Sequence, residues 1–500
     1  MGFSTIDYVV LVTYLVGVTI FGAQFRRSQR TVKDYFIGTR NTHWLVISLS
    51  IVATETSSLT LIGVPALAYS LYAQPEQGGS LTYLQVVLGY VVGRVIISLL
   101  FLPAYFKGDL LTAYELLARR FGPKAKHFTA SLFLVMRAFA DGVRVFAASL
   151  VAAAVIGRSL PNFPDLWLWS IVIVGVLTLI YTFEGGMAAV IWTDLMQLVV
   201  YVAGSLLAAW QILHLIPGGW ATVATHAEAA NKFQLLSFSW DLSLPFTFWA
   251  GLIGGTFLTM ASHGTDQLLV QRLLTCKTLR DSQKALVFSG VFVLLQFVLF
   301  LFIGVMLYAY YQHAPLPALT STDEIFPAFI VNTLSGGIAG LIIAAVFAAA
   351  MSTLSGSLNS LASSTVLDFY RPRAGRGKTD AQLLLLSRWC TAAWGVVLIG
   401  IAVSARDWGS VFTVGLSIAS LVYGPMLGAF LLGVVTTRAN ETGVIAGIGV
   451  SLASMIAVKL GTTLAWTWYV VVGAAICVSV GYVTSLVFPS AATREAPEAG

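Results

Sequence analysis

The sequence predicts an all-α polytopic membrane protein with about thirteen transmembrane helices. Of its 500 residues, 57% are hydrophobic and only 10% are charged, and the mean hydropathy is +0.84. A soluble globular chain carries roughly 25% charged residues. Apolar runs long enough to cross a bilayer also recur along the whole length of the chain. These observations exclude a soluble enzyme or a soluble binding protein.

The first apolar run has no basic residues before it, so we expect it to remain as a helix and not to be cleaved as a signal peptide. The predicted spans are 5–24, 45–72, 80–105, 127–156, 165–184, 189–213, 244–264, 285–311, 336–369, 384–404, 409–435, 441–460 and 464–488.

The basic residues predict the orientation. Four connecting segments, 25–44, 106–126, 265–284 and 370–388, hold 19 of the 28 Lys and Arg residues. With thirteen spans all four lie on one side, which the positive-inside rule makes cytoplasmic. We therefore expect a multi-pass plasma-membrane protein with its N-terminus outside and its C-terminus in the cytoplasm. The net charge of +6 then reflects topology and contact with the lipid bilayer, and not nucleic-acid binding.

Catalytic motifs are not found. Cys276, Cys390 and Cys477 are scattered, and no metal-binding, nucleophile–base or phosphate-loop pattern accompanies them. We therefore predict that the protein is not an enzyme. No feature of the sequence indicates an obligate protein partner.

The ninth span combines an apolar first half with a second half rich in hydroxyl groups. Neutral oxygens at helical spacing, without an adjacent charge, suit a dehydrated cation. The alternative is that these hydroxyls join neighbouring helices. The hydroxyl residues are Ser352, Thr353, Ser355, Ser357, Ser360, Ser363, Ser364 and Thr365.

The second span is predicted to be a broken helix. A cluster of hydroxyl residues at 54–60 precedes Gly63 and Pro65, and proline removes a backbone donor, so carbonyls near 53–56 could serve as cation ligands. A simple proline kink is the alternative. Glycines at 251–255 predict a comparable interruption in the seventh span. Paired interrupted helices are typical of transporters built from inverted repeats.

Ionisable residues inside the spans indicate cavities or buried pairs, because each is costly in a bilayer. Arg137, Asp141 and Arg144 share one face of the fourth span. They predict either a salt-bridged stripe between helices or an arginine that attracts an anionic group in a cavity.

Three motifs together resemble those of the solute:sodium symporter family: GGMAAVIWTDLMQ at 185–197, TDQLLVQRLL at 265–274 and MSTLSGSLNSLASSTVLDFY at 351–370. The resemblance covers about residues 5–488. It implies a LeuT-type core of two inverted five-helix repeats. The units it implies are an N-terminal helix and loop (1–44), the first repeat (45–213), an extracellular loop (214–243), the second repeat (244–435), two further helices (436–488) and a short cytoplasmic tail (489–500).

The resemblance also implies a sodium site between spans 2 and 9. Its ligands would be the carbonyl groups of Ala53, Thr56 and Ala349 and the hydroxyl groups of Ser352 and Thr353. Some members of the family resemble one another in a second sodium site. The residues of this sequence that correspond to its ligands are Asp194, Ser352 and Ser355. Gly356 stands where another hydroxyl would be expected.

Substrate contacts implied by the resemblance lie beside the break in span 2 and on spans 3 and 4. Sugar carriers of the family have a lysine on span 8, where this sequence has Val293, and an amide residue in place of Glu55. Sialic-acid carriers of the family use an arginine on span 4. We therefore expect a small polar organic solute that bears a carboxylate, with Arg144 or Arg137 as its partner. The implied contacts are Glu55, Ser57, Thr60, Gln85, Arg137, Asp141 and Arg144.

The predicted function is sodium-coupled symport of that solute by alternating access, with Na⁺ as the coupling ion. Three alternatives remain: a sodium-coupled sugar transporter, a proton-coupled transporter of the same fold acting through Glu55 or Asp194, and a membrane sensor module.

Overall fold

The structure is a computed structural model that describes residues 4–38, 40–71, 75–108, 110–157, 163–317, 319, 321–334, 336–375, 377–407 and 411–489. Residues 490–500, most of the predicted tail, lie outside this range. The regular elements of the described residues are all helical. The α-helices are α1 (Thr5–Ala23), α2 (Val32–Ile37), α3 (Trp44–Glu55), α4 (Ser58–Tyr69), α5 (Leu84–Leu100), α6 (Leu102–Phe106), α7 (Tyr114–Arg120), α8 (Pro123–Ile156), α9 (Leu166–Leu215), α10 (Trp220–Ala229), α11 (Gly255–Gly264), α12 (Gln267–Leu274), α13 (Leu279–Tyr310), α14 (Ile325–Thr333), α15 (Ile338–Ser364), α16 (Arg371–Ala374), α17 (Asp380–Ser404), α18 (Val411–Val435), α19 (Glu441–Gly461) and α20 (Tyr469–Val487).

Within the described residues, nine helical segments are long and apolar enough to cross a membrane, and the bent pair α3 and α4 brings the total to ten. The fifth and sixth predicted spans form one continuous element, α9, whose 50 residues bend at Gly186. The φ angle of Gly186 is 52°, a left-handed value that glycine adopts without steric cost. The all-α membrane fold is thus confirmed, while the count of about thirteen spans stays a prediction.

The second predicted span is broken next to residues 53–56, where unwound carbonyls were expected, and its proline lies beyond the break. Helix α3 ends at Glu55, α4 begins at Ser58, and their axes differ by 66°. Thr56 and Ser57 between them have extended backbone angles. Pro65 lies inside α4, where it removes a hydrogen bond within the second half-helix and does not separate the two halves.

The predicted interruption of the seventh span is a π-helical turn and not a break. This turn, Ala250–Gly254, continues directly into α11. Its glycines allow a close crossing with α5, since a Cβ added at Gly251 would lie 2.8 Å from the carbonyl oxygen of Gln85. The glycines in this segment therefore serve helix packing.

Helix α15 occupies the centre of the bundle. Every residue from Ile342 to Ser364 is buried. The hydroxyl of Tyr181 on α9 donates to the carbonyl of Met351 at 3.2 Å. Helices α1, α3, α8, α9 and α17 pack around α15. The hydroxyl-rich half of this helix is consequently enclosed by protein.

Candidate functional site

The break between α3 and α4 faces the hydroxyl-rich part of α15. The hydroxyl of Thr353 donates to the carbonyl of Ala349 at 3.1 Å and lies 3.5 Å from the carbonyl of Thr54. Ala53 and Ala349 are fully buried. The structure thus brings together the two segments from which the main sodium site was predicted, in a place enclosed by protein.

Thr56 marks the C-terminal end of α3. Its hydroxyl donates to the carbonyl of Val52 at 2.8 Å and accepts a hydrogen bond of 2.5 Å from the amide of Gln296 on α13. This side chain is therefore engaged by its own helix and by α13, which leaves its backbone carbonyl as the group with which it could bind an ion.

Asp194 lies next to the same place. Its carboxylate accepts hydrogen bonds from Ser352 at 2.6 Å, from Ser50 at 2.6 Å and from Thr54 at 3.2 Å. Ser355 donates instead to the carbonyl of Ser352 at 3.0 Å. Asp194 and Ser352 are therefore in direct contact, whereas Ser355 reaches them only through the backbone.

Arg272 on α12 is the cation paired with Asp194, at 3.0 Å. It also donates to Ser50 at 3.1 Å and to the carbonyl of Leu268 at 2.7 Å. A Cβ added at Gly356 would lie 2.7 Å from its guanidinium. The sequence offers a signal for this residue, because Arg272 belongs to the TDQLLVQRLL motif, but its position among the basic residues of a connecting segment does not indicate a buried partner.

A cavity of about 180 Å³ adjoins the break. Thr54, Glu55, Ser57 and Thr60 form its polar side near the break, and Arg137 and Arg144 contribute from α8. Its apolar wall includes Leu59, Val64, Leu67, Tyr83, Leu258 and Phe297. The cavity therefore offers a few convergent polar groups on an apolar surface, as small-molecule sites generally do.

Glu55 is already paired within this cavity. Its carboxylate accepts a short hydrogen bond from Arg94 and lies 3.4 Å from His263. Arg94 is fully buried and donates in addition to Ser289 at 3.1 Å. The Glu55 side chain is nevertheless 18% exposed, so part of it remains accessible from the cavity.

The stripe on α8 is a buried ion-pair network that reaches other helices. Arg137 donates to Asp266 and Asp141 and, at 2.8 Å, to the hydroxyl of Tyr423. Asp141 also accepts a hydrogen bond from Ser357 of α15. Asp266 is also the N-cap of α12. The sequence did not identify Asp266, Tyr423, Arg94 or His263 as members of these networks.

Arg144 differs from Arg137 in its surroundings. It makes one side-chain hydrogen bond within the described residues, at 2.6 Å to Asp141, and 24% of its side chain is exposed. A guanidinium carries five N–H donors. Arg144 therefore has donors available to a solute in the cavity. Both terminal nitrogens of Arg137, in contrast, are occupied by Asp141, Asp266 and Tyr423, and only its buried Nε lacks a partner within the described residues.

Gln85 is not among the residues that line the cavity. Its amide donates to the carbonyl of Phe246 at 2.7 Å, and its oxygen accepts from the backbone of Ser237 at 3.0 Å. The side chain is buried and ties the segment after α10 to α5. In this structure it cannot contact a solute in the cavity.

Lys232, three residues beyond α10, holds the far end of α4. Its ammonium donates to the carbonyls of Ala68, Tyr69, Ser70 and Gly79 at 3.0 to 3.1 Å. The ammonium also lies 4.2 Å from the ring centroid of Tyr308 on α13. The carbonyls at the C-terminal end of a helix attract a positive charge. Lys232 therefore joins the second half of the broken helix to the segment after α10 and to α13.

Comparison with known proteins agrees with these features. A family model described as the sodium:solute symporter family matches residues 35–450. The sodium/sialic acid symporter NanT of Aliivibrio fischeri is 31% identical over 500 residues, covering 97% of this chain and 94% of the relative. The human sodium-coupled monocarboxylate transporter 2 is 29% identical over 469 residues, covering 91% and 73%.

A solved structure has the same fold. The substrate-bound outward-open state of a Na⁺-coupled sialic acid symporter superposes with a TM-score of 0.85 at 29% identity, covering 97% of this chain and 98% of that chain. This similarity confirms the LeuT-type fold expected from the sequence motifs. The chain belongs to the sodium:solute symporter family and is a sodium-coupled transporter, not an enzyme.

Proposed function

We propose that the protein couples the entry of sodium to the uptake of a small organic solute that bears a carboxylate. The class of solute is inferred from Arg144, because its guanidinium lies at the cavity and most of its N–H donors are available. Arginine binds carboxylates through paired, charge-assisted hydrogen bonds. Relatives named as sialic acid and monocarboxylate transporters support the same class.

The proposed sodium ligands are the carbonyls of Ala53, Thr56 and Ala349 and the hydroxyls of Ser352 and Thr353. The contact between Thr353 and the carbonyl of Thr54 supports this assignment, because it brings α15 to the broken end of α3. A dehydrated alkali ion needs several oxygen ligands, which unwound carbonyls and hydroxyls in a protein-enclosed gap can supply.

Sodium in this gap would bridge α3 and α15 and so stabilise the conformation in which the two lie close together. An ion can bias a conformational equilibrium only by the difference in its affinity for the two states. The adjoining cavity shares Thr54, Glu55 and Ser57 with the break. Ordering the break would therefore raise the affinity for solute, and the solute would raise the affinity for sodium by the same factor.

We infer that one sodium ion accompanies each solute. Asp194, the acidic member of the candidate second site with Ser352 and Ser355, already accepts a hydrogen bond from the guanidinium of Arg272. Gly356 has no side-chain hydroxyl, and the Arg272 side chain packs against it. The positive charge that a second sodium would bring is thus supplied by the protein.

The proposed topology has thirteen spans, an extracellular N-terminus and a cytoplasmic C-terminus in the plasma membrane. The bend of α9 at Gly186 supports two spans within that element, and the break of α3 and α4 supports one span made of two half-helices. The first repeat would then run over 45–213 and the second over 244–435, with residues 214–243 as an extracellular loop.

A thermal-shift screen of the purified protein tests this function. Monocarboxylates, sialic acids, amino acids and neutral sugars would each be added with sodium and, separately, with potassium. A ligand that binds only the folded state raises its stability, so we expect a carboxylate-bearing solute to stabilise the protein and to require sodium. Stabilisation by a neutral sugar, or by a solute in potassium alone, would contradict the proposal.

A further inference from the structure

Two histidines meet near the end of α4 that Lys232 holds. His226 lies in the last turn of α10, and His313 follows α13. Their Nε2 atoms are 3.1 Å apart, and their ring centroids are 4.9 Å apart with an interplanar angle of 73°. His313 is exposed and His226 is partly exposed, so water and dissolved ions can reach the pair.

The spacing of the two nitrogens matches a metal chelate. Imidazole nitrogens bind Zn²⁺ at about 2.0–2.1 Å. Two nitrogens 3.1 Å apart would then subtend an angle of about 100° at a shared ion, between the octahedral and the tetrahedral values. Without a metal, the two neutral rings can share only one proton between their facing nitrogens.

We propose that His226 and His313 form a binding site for a divalent transition-metal ion, open to the side that we assign as extracellular. Imidazole ligands favour Zn²⁺, Cu²⁺ and Ni²⁺ over Mg²⁺ or Ca²⁺. Water would complete the coordination shell, because two protein ligands leave positions open. Sodium, whose preferred ligands are oxygens, would not compete for this pair.

A metal at this site would affect transport through Lys232. Helix α10 already packs on α13, with the rings of Trp220 and Phe302 5.8 Å apart. A metal would add a second link between the same two elements at the end of α10. The backbone N–H of Lys232 donates to the carbonyl of Ala227 on α10 at 2.8 Å, and its side chain holds α4. Fixing α10 to α13 would therefore restrict the position of α4 and of the break beside it, so this coupling rests on the proposed function of that break.

The binding test uses the full-length purified protein with Zn²⁺ in sodium buffer. We expect Zn²⁺ to raise the unfolding temperature and a chelator to reverse the shift. In His226→Asn and in His313→Asn the apparent affinity should fall by about a hundredfold or more, because the second ligand no longer acts intramolecularly. The matched control is His214→Asn, whose ring stacks on Trp210 and which should behave as the unmodified protein does.

Two further readouts decide the proposal. Electron paramagnetic resonance of the Cu²⁺-loaded protein should report two imidazole nitrogens, and one in either single variant. External Zn²⁺ should slow uptake in the unmodified protein and in His214→Asn, but not in His226→Asn. A metal response that is absent, or equal in all four proteins, would overturn the site, and binding that leaves uptake unchanged would overturn its coupling to α4.

Discussion

Arg272 donates a hydrogen bond of 3.0 Å to the carboxylate of Asp194, and both side chains are almost completely buried. The two residues lie 78 positions apart in the sequence and join α12 to α9. Their pairing supplies a positive charge beside the proposed sodium site from within the protein. A buried carboxylate that is already paired in this way has less to gain from a second cation.

The first prediction is a sodium-to-solute ratio of one. With a single ion per cycle, uptake should depend on sodium concentration with a Hill coefficient of about 1. Parallel fluxes of radioactive sodium and labelled solute in proteoliposomes give the ratio directly. A Hill coefficient of about 2, with two ions carried per solute, would contradict the inference of a single sodium ion.

Gly356→Ser should destabilise the protein. An added Cβ would lie 2.7 Å from the Arg272 guanidinium, and moving a buried, paired side chain typically costs about 1–3 kcal/mol. Gly449→Ser on α19 is the matched control, because an added Cβ there meets no heavy atom within 4 Å. Thermal unfolding of both variants checks this prediction, and equal unfolding temperatures would disprove it.

Thr353→Ala should raise the sodium concentration needed for half-maximal uptake by at least several-fold, as should Ser352→Ala. Each change removes one proposed oxygen ligand, whereas Thr353→Ser keeps it and should remain close to the unmodified protein. Ser360→Ala on the same helix serves as the control, because the Ser360 hydroxyl donates to the carbonyl of Ser357 at 3.1 Å and is not one of the proposed ligands. If Thr353→Ala and Ser360→Ala have the same sodium dependence, Thr353 is not a ligand.

Arg144→Gln should weaken solute binding while leaving the sodium site intact. A hydrogen bond to a charged group is worth about 1.5–3 kcal/mol, so the solute concentration for half-maximal uptake should rise by about tenfold to a hundredfold. Arg120→Gln is the control, because Arg120 donates to the carbonyl of Thr436 and does not line the cavity. An unchanged half-saturation concentration would remove Arg144 from the solute site.

Lys232 predicts a specific pH dependence of stability. Burial lowers its pKa from 10.5 to about 8, while the four carbonyls around the ammonium oppose that shift. Between pH 8 and 10.5 the unfolded chain then binds more protons than the folded chain, so the contribution of this residue to stability rises with pH, by at most about 3 kcal/mol. Below pH 8 Lys232 is protonated in both the folded and the unfolded chain, and this contribution to stability is absent.

The measurement for Lys232 compares the unmodified protein with Lys232→Met, which cannot titrate at this position. Other titratable side chains in this region, among them Tyr308, Tyr69, Tyr311, His226 and His313, are common to both proteins. As the pH rises from 7 to 9, the unfolding temperature of the unmodified protein should rise relative to that of Lys232→Met. A difference that moves the other way would mean that the carbonyls outweigh burial.

The sequence predicted the helical membrane fold and the two segments that meet at the proposed sodium site, because hydropathy and hydroxyl content are local properties. It placed the unwound carbonyls of the second span at 53–56, next to Thr56 and Ser57 where the chain opens, but attributed the opening to Pro65. A proline removes only one hydrogen bond, and the surrounding helices decide where the axis bends.

The ion pairs could not be predicted in the same way. Arg137 and Asp266 are 129 positions apart, and Arg94 and Glu55 are 39 apart. Their partnership depends on how helices pack, which no local pattern encodes. The partners of Gln85 could not be predicted from a local pattern either, because its amide forms hydrogen bonds with the distant segment after α10. The roles of the individual sodium and solute ligands remain predictions for the experiments above.

Uptake into proteoliposomes under imposed ion gradients tests sodium coupling most directly. The purified protein would be supplied with the solute identified by the thermal-shift screen, under a sodium gradient, a potassium gradient or a pH gradient of equal size. We predict concentrative uptake with the inward sodium gradient alone, and its loss when sodium is equal on both sides without a membrane potential. Accumulation that follows the pH gradient, or that is unchanged with potassium, would contradict a sodium ion held between the broken helix and α15.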